Sequence, residues 1–272
     1  MDRADEELLA AIRAGDDAAM GRLLARHAPA IYRFGVKMCR DPEDAKDVLQ
    51  DTLLSAARGI REFRGESSLS TWLYKVAHSY CIKKRRSSKF APTETVSLDA
   101  EGVLDAPATD KAPDEAVADR QLSTLLDRAI AALEPANREV LVLRDVEGLT
   151  APEVADVLGL SVQAVKSRLH RARAQVRATV EASVPVSERA GQSAEAPGCP
   201  DVVTLFSRFL EGEIGAADCE AMHEHVASCT RCNAVCESLK HTLALCSAGS
   251  REDVPVEVQA LVRKAVQEFA SR

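Results

Sequence analysis

The sequence predicts an all-α protein: two helical domains, the second a helix-turn-helix, joined by a flexible linker, and then a small metal-binding helical C-terminal domain. Three observations predict it. Apolar residues recur at spacings of three and four in the patterned segments, and no alternating strand pattern competes. Ala, Val and Leu dominate an apolar content of 46%, while aromatics reach only 4%, which favours small helical bundles over β sandwiches. Cysteine and histidine crowd together near one end, where the stretch H-E-H-V-A-S-C-T-R-C-N-A-V-C spans His223 to Cys236.

Residues 1–90 form the first domain. Leu8, Leu9 and Ile12 pattern a helix that Gly15-Asp-Asp breaks, and a second pattern, interrupted or kinked at Pro29, covers Ala18 to Cys39. Asp41-Pro-Glu-Asp is a start signal, with proline in the first turn and acids near the N-terminus. Ala45, Val48, Leu49, Thr52, Leu53 and Ala56 then form one apolar face. Phe63-Arg-Gly-Glu-Ser-Ser marks a turn before a long helix from Leu69 to Arg86. Residues 91–119 are proline-bearing, acidic and without apolar periodicity, as a linker is. In residues 120–182, Leu122, Leu125, Leu126, Ile130 and Leu133 pattern one helix, and Arg138–Val146 a short second. Thr150 to Lys166 reads as helix, Gly159 turn, helix, with Glu153 at capping-box spacing from Thr150 and Ser161 able to cap the second helix. Residues 183–198 form another linker. Residues 199–272 hold the cysteines and end in an amphipathic pattern from Pro255 to Phe269.

The net charge of -7 argues against nucleic acid only as an average. Residues 92–119 carry eight acids and one base, and residues 183–272 carry thirteen acids and eight bases, which leaves +5 on the rest. Those bases are clustered. Lys166, Arg168, Arg171, Arg173 and Arg177 follow the capped turn with no acid before Glu181. A solvated basic face is one reading; a recognition helix in a major groove fits the pattern better. In the first domain Lys75, Lys83, Lys84, Arg85, Arg86 and Lys89 share a segment with no acid between Glu66 and Glu94, with Trp72, Tyr74 and Tyr80 interleaved and Phe63 just before it. That mixture suits single-stranded or melting DNA, where bases stack while phosphates are neutralised. Trp72 fits the core as well as it fits a base.

His225, Cys229 and Cys232 have the spacing H-x3-C-x2-C. A helix points positions i and i+4 the same way, and Cys-x2-Cys supplies another thiolate on a tight turn. A fourth ligand must come from upstream. Cys219, Met222, Val226 and Cys229 form one helical stripe, and Cys236, Leu239, Leu243 and Cys246 another. Such stripes suit packing, so Cys219, Cys236 and Cys246 fit core and ligation alike; with His223 they are the additional candidate ligands. Cys39 and Cys81 are isolated and read as core. No run of eighteen apolar residues exists and the first fifteen residues are charged, so a membrane span and a secretory leader are not expected. The expected compartment is the reducing cytoplasm, where clustered cysteines bind metal or sense redox state. No catalytic constellation or phosphate-cradling glycine loop appears, and the chain is not expected to be an enzyme. Cys229-Thr-Arg-Cys232 as an oxidoreductase motif lacks the strand–helix setting it needs. A simple helix-turn-helix repressor leaves the first domain unexplained.

Asp41-Pro-Glu-Asp-Ala-Lys-Asp-Val-Leu-Gln-Asp-Thr, Phe63-Arg-Gly-Glu-Ser-Ser-Leu-Ser-Thr-Trp-Leu-Tyr-Lys-Val-Ala and Val165-Lys-Ser-Arg-Leu-His-Arg-Ala-Arg resemble signature segments of bacterial extracytoplasmic-function sigma factors, in order, over about residues 5–180. The resemblance implies core RNA polymerase, through its β′ clamp helices and β flap, and promoter DNA as partners. It places Asp44, Asp47, Gln50 and Asp51 toward the clamp. It places Phe63, Trp72, Lys75, His78, Ser79, Lys83, Lys84, Arg85 and Arg86 at the −10 element. Ser161, Gln163, Lys166, Ser167, Arg168, Arg171 and Arg173 fall at the −35 element. Ser79 departs from the asparagine frequent there, with shorter reach and a hydroxyl instead of an amide. Cys199-Pro-Asp-Val-Val, Phe209-Leu-Glu-Gly-Glu-Ile and the His225–Cys232 motif resemble the zinc-binding anti-sigma fold, which implies Cys199 as the fourth ligand. The fusion resembles the CorE-type sigma factors. It implies control by zinc, copper or cadmium at the chain's own tail, with no separate anti-sigma factor required. A thiol redox sensor in the tail is the alternative.

Overall fold

The computed structural model describes residues 2–39, 41–88, 113–183, 199–248, 258–260 and 262. The expected amphipathic pattern from Pro255 to Phe269 lies mostly outside them, as do Lys89 and the two linkers apart from residues 113–119 and residue 183. No strand occurs among the described residues. The chain divides into two compact units, one made of Met1–Gln121 with Glu252–Arg272, the other of Leu122–Arg251. The second unit holds the helix-turn-helix and the cysteine-rich segment together.

In the first unit, α1 (Arg3–Arg13) starts at Asp2, whose carboxylate accepts from the Ala4 amide. α2 (Asp17–Cys39) runs as one helix through Pro29, so of the expected interruption or kink the interruption does not occur. Proline removes one helix hydrogen bond, but Leu23, Leu24, Ala28, Ile31 and Phe34 on both sides of it are buried, and that packing holds the helix. α3 (Pro42–Gly59) has Asp41 as its N-cap, accepting from Glu43, and buries Ala45, Val48, Leu49, Leu53 and Ala56. A short 3-10 turn, Ile60–Glu62, leads to Phe63, whose carbonyl accepts from Arg13 at 2.8 Å. The Ser68 hydroxyl accepts from the Thr71 amide at 3.1 Å, capping α4 (Leu69–Ser88).

In the second unit, α5 (Pro113–Ala132), which begins in the first unit, meets α6 (Pro135–Leu141) through a fully buried arginine. Arg138 donates to the carbonyls of Ile130, Ala131 and Leu133 at 3.1, 2.5 and 2.8 Å, satisfying the orphaned acceptors at the end of α5. A π-helical turn, Val142–Val146, follows. α7 (Ala151–Leu158) carries the complete capping box of Thr150 and Glu153. Gly159 closes α7 in the left-handed region at φ 65°, where a Cβ is disfavoured. α8 (Val162–Ser183) begins with Ser161 accepting from the Ala164 amide at 3.1 Å and buries Val165, Leu169, Ala172 and Val176. α9 (Val202–Leu210), α10 (Ala216–Ser228) and α11 (Thr230–Ala248) complete the unit.

Candidate metal centre and nucleic-acid interface

Cys199 precedes α9, His225 lies in the last turn of α10, Cys229 is the residue between α10 and α11, and Cys232 sits in the first turn of α11. Their four ligand atoms all lie within 4.8 Å of one another. Cys199 Sγ and Cys229 Sγ are 3.9 Å apart, and His225 Nε2 is 3.2 Å from Cys232 Sγ. A tetrahedral ion with metal–sulfur bonds of about 2.3 Å needs ligand edges of about 3.8 Å, so three sulfurs and one imidazole at these separations fit a zinc-type ion. Cys232 N–H lowers the Cys229 thiol below the usual cysteine value, while burial pushes the Cys232 thiol up to about 12, helped by its bonds to Cys199 and Cys229. Without a cation the cluster therefore keeps at least one proton; an ion is what lets three thiolates share this space.

The surplus cysteines part company here. Cys236 is buried with Val202, Phe206, Cys232 and Leu239, and burial raises its thiol above the usual value, as suits a packed neutral thiol. Cys246 is buried, Cys219 half-buried and His223 exposed; none belongs to the cluster of four. Cys39 and Cys81, isolated in sequence, bring their sulfurs within 3.6 Å in the first unit.

Asp44, Asp47, Gln50 and Asp51 lie along α3, Asp47 and Gln50 exposed and the other two half-buried. Lys84 on α4 reaches across to Asp47 at 2.5 Å and Asp44 at 3.4 Å, so one base assigned to the −10 face meets two acids assigned to the clamp. The Asp47 bond raises Lys84 above the usual lysine value. Phe63 is buried and tilts against half-buried Trp72 with ring centroids 5.6 Å apart. Lys75, Lys83, Arg86 and Ser79 are exposed, Arg85 is half-buried, and His78 is buried at 8%. The Ser79 hydroxyl donates to the Val76 carbonyl at 2.7 Å.

On α8, Ser161, Gln163, Ser167 and Arg171 are exposed and Arg168 is half-buried. Lys166, His170 and Arg173 follow at helical spacing, and the cysteine-rich segment covers that stripe. Arg173, its side chain only 4% exposed, forks onto Asp145 at 2.6 and 2.8 Å and reaches Glu211 and Ser207 at 2.9 Å each. Burial would lower its pKa, but the carboxylates of Asp145 and Glu211 outweigh that and raise it. Lys166 donates to Glu213 at 2.9 Å and to the Glu211 carbonyl at 3.4 Å; His170 Nε2 is 2.8 Å from Thr204 Oγ1; Arg144 reaches Glu211 at 3.3 Å. Sequence reasoning did not single out Thr204, Ser207, Arg144 or Asp145, and it named Glu211 and Glu213 only within the Phe209-Leu-Glu-Gly-Glu-Ile segment, with no role of their own. Their only local signal was the helix-stop pattern Glu211-Gly212-Glu213.

Three family models match: sigma-70 region 2 over residues 23–90, sigma-70 region 4 over 123–176, and a zinc-finger family over 199–233. The ECF RNA polymerase sigma factor SigM of Mycobacterium tuberculosis is 37% identical over 179 residues, which are 64% of this chain and 84% of SigM. The RNA polymerase sigma factor CnrH of Cupriavidus metallidurans is 33% identical over 185 residues, 66% of this chain and 95% of CnrH. Solved sigma factor chains are similar, among them these two. CnrH in complex with the cytosolic domain of CnrY has a TM-score of 0.48 at 27% identity, covering 66% of this chain and 99% of that one. RpoE from Bartonella quintana in complex with the anti-sigma factor NepR has a TM-score of 0.47 at 23% identity, covering 60% and 97%. Both sigma chains were captured with a separate protein bound. That corrects the expectation that no separate anti-sigma factor is required. Among the described residues no helix is long and apolar enough to cross a membrane. The zinc-finger match and the cluster of three cysteines and one histidine together mark a metal-binding segment. From two sigma regions in order and relatives covered over most of their length, the chain belongs to the extracytoplasmic-function RNA polymerase sigma factors, transcription regulators rather than enzymes.

Proposed function

We propose that this sigma factor directs promoter-specific initiation through residues 1–90 and 120–182 and is governed by a transition metal held in residues 199–272. The observation that carries the metal reading is the convergence of Cys199, His225, Cys229 and Cys232, in the same compact unit as the helix-turn-helix. Asp44, Asp47, Gln50 and Asp51 form the polymerase-clamp face. Phe63, Trp72, Lys75, His78 and Ser79, with the bases Lys83 to Arg86, serve the −10 element, and Ser161 with Gln163, Lys166, Ser167, Arg168, Arg171 and Arg173 of α8 serves the −35 element. Three thiolates and an imidazole suit zinc best and leave soft copper or cadmium as competitors. An ion at this site ties the start of α9 to the α10–α11 junction, which gives the tail a fixed shape. Regulation then requires that the ion favour one arrangement of the tail over another. Transcription with core polymerase across a panel of metal concentrations tests this: initiation should depend on metal and lose that dependence in Cys229→Ser. Metal-independent initiation, unchanged in the variant, sinks metal control and leaves the sigma activity standing.

The 3.9 Å between Cys199 and Cys229 sulfurs supports a second reading, in which mild oxidant links thiols and expels zinc. Thiol titration with zinc release under peroxide distinguishes it from reversible metal sensing.

A further inference from the structure

We propose that the turn Glu211-Gly212-Glu213 is an internal stand-in for the DNA backbone, which closes the recognition helix to a promoter duplex in this arrangement. The inference deepens the proposed function and rests on its assignment of α8 to the −35 element. Gly212, at φ 66°, ends α9 in the left-handed conformation and sends the Glu213 amide back to the Arg208 carbonyl at 2.8 Å. That geometry sets Glu211 and Glu213 side by side at the negative end of the α9 dipole. The result is a cluster of oxygen acceptors: two carboxylates and the carbonyls of Leu210 and Glu211. Lys166, Arg144 and Arg173 donate into it, and Thr204, two turns earlier on α9, meets His170. Basic and hydroxyl groups that grip phosphate oxygens use the same charge-assisted bonds.

Shape adds to charge. A major groove about 12 Å wide admits one helix, and helices packed side by side have axes about 8–10 Å apart. With α9 against its Lys166–Arg173 flank, α8 would bring a second helix to the groove wall on that side, while Gln163, Ser167 and Arg171 face solvent. The lock is graded. Arg173 and Glu211 are almost wholly buried, at 4% and 5%, whereas Lys166 and Glu213 keep 20% and 28% of their side-chain surface. Phosphates can therefore compete for the outer pair first.

The test uses the full-length chain as purified, with no metal added or removed, so that its outcome is separate from that of metal control. Fluorescence anisotropy with a random-sequence duplex of about 25 base pairs compares three proteins: wild type, Glu211→Gln/Glu213→Gln, and the charge-matched control Asp218→Asn/Glu220→Gln on exposed α10 positions. The first double variant should bind about tenfold tighter, with a salt dependence steeper by about one phosphate contact, while the control gains less than about twofold. Equal gains in both, or none, overturn the stand-in and leave the α8 assignment standing. Adding Lys166→Ala should abolish the gain; a gain that survives it overturns the proposal through the assignment on which it rests. Acetylation followed by mass spectrometry checks unmutated protein: Lys166 should react several-fold more slowly than exposed Lys75, and equal rates overturn the docked turn.

Discussion

α4 and α8 carry the same sequence signal, a run of bases with no acid among them, and the structure treats them differently. On α4, Lys75, Lys83 and Arg86 remain exposed, and Lys84 pairs with acids of its immediate neighbour α3. On α8, Lys166 and Arg173 are taken by Glu211 and Glu213, about forty residues downstream, and Arg173 leaves the surface altogether. A basic stripe reports what a helix can bind; whether it is open depends on acids that distant chain brings to it.

The widest gap between the two regions should come from the metal ligands, which support the tail on α8 and nothing known on α4. Structural zinc contributes roughly 10–16 kcal/mol of apparent binding free energy at neutral pH in small zinc folds. Cys232→Ser should therefore abolish stoichiometric zinc, measured by elemental analysis, and release hydrogen-exchange protection in α9 to α11. Protection in α3 and α4 should be unchanged; its loss would mean that the metal supports the whole chain.

Next comes the buried ion pair. Arg173→Leu strands Asp145 and Glu211, both about 5% exposed, and removing one partner of a buried pair costs about 3–5 kcal/mol. Chemical denaturation followed by exchange of α8 amides measures it. A cost below about 1 kcal/mol would place Arg173 at the surface in solution, as the local sequence alone implies.

That arginine marks where legibility ended. The caps at Asp41, Thr150 and Ser161 and the turn at Gly159 were readable because each rests on residues within three or four positions. The quartet of Cys199, His225, Cys229 and Cys232 was readable because ligand chemistry restricts residue type and a known tail pattern supplied Cys199. Arg173 was not, since a base on a recognition helix has the same local context whether it meets phosphate or Asp145. Nor was Arg138, whose role needs the carbonyl ends of α5 folded over it. Cys39 and Cys81 are 42 positions apart, and only the packing of α2 on α4 brings them together.

A smaller effect belongs to the cap that starts α7. Thr150→Ala removes a cap bonded to Glu153 on both sides, worth about 1 kcal/mol. Thr150→Ser should recover most of it in thermal unfolding, since serine keeps the accepting oxygen.

The smallest change should be on α4 itself. Lys84 bridges Asp47 and Asp44, yet its side chain is 29% exposed and that of Asp47 59%, so solvent screens the pair and about 0–1 kcal/mol is at stake. Asp47 raises the lysine, so the contribution is fully present below the unfolded lysine value, near pH 10.4, and is lost only as pH climbs through the higher folded value. Lys84→Met should thus lower stability slightly at pH 7, with a penalty that shrinks further in about 1 M salt. Arg173→Leu should keep its penalty in the same salt because its partners are dry. Equal salt sensitivity at the two sites would erase the distinction between an exposed basic helix and a covered one.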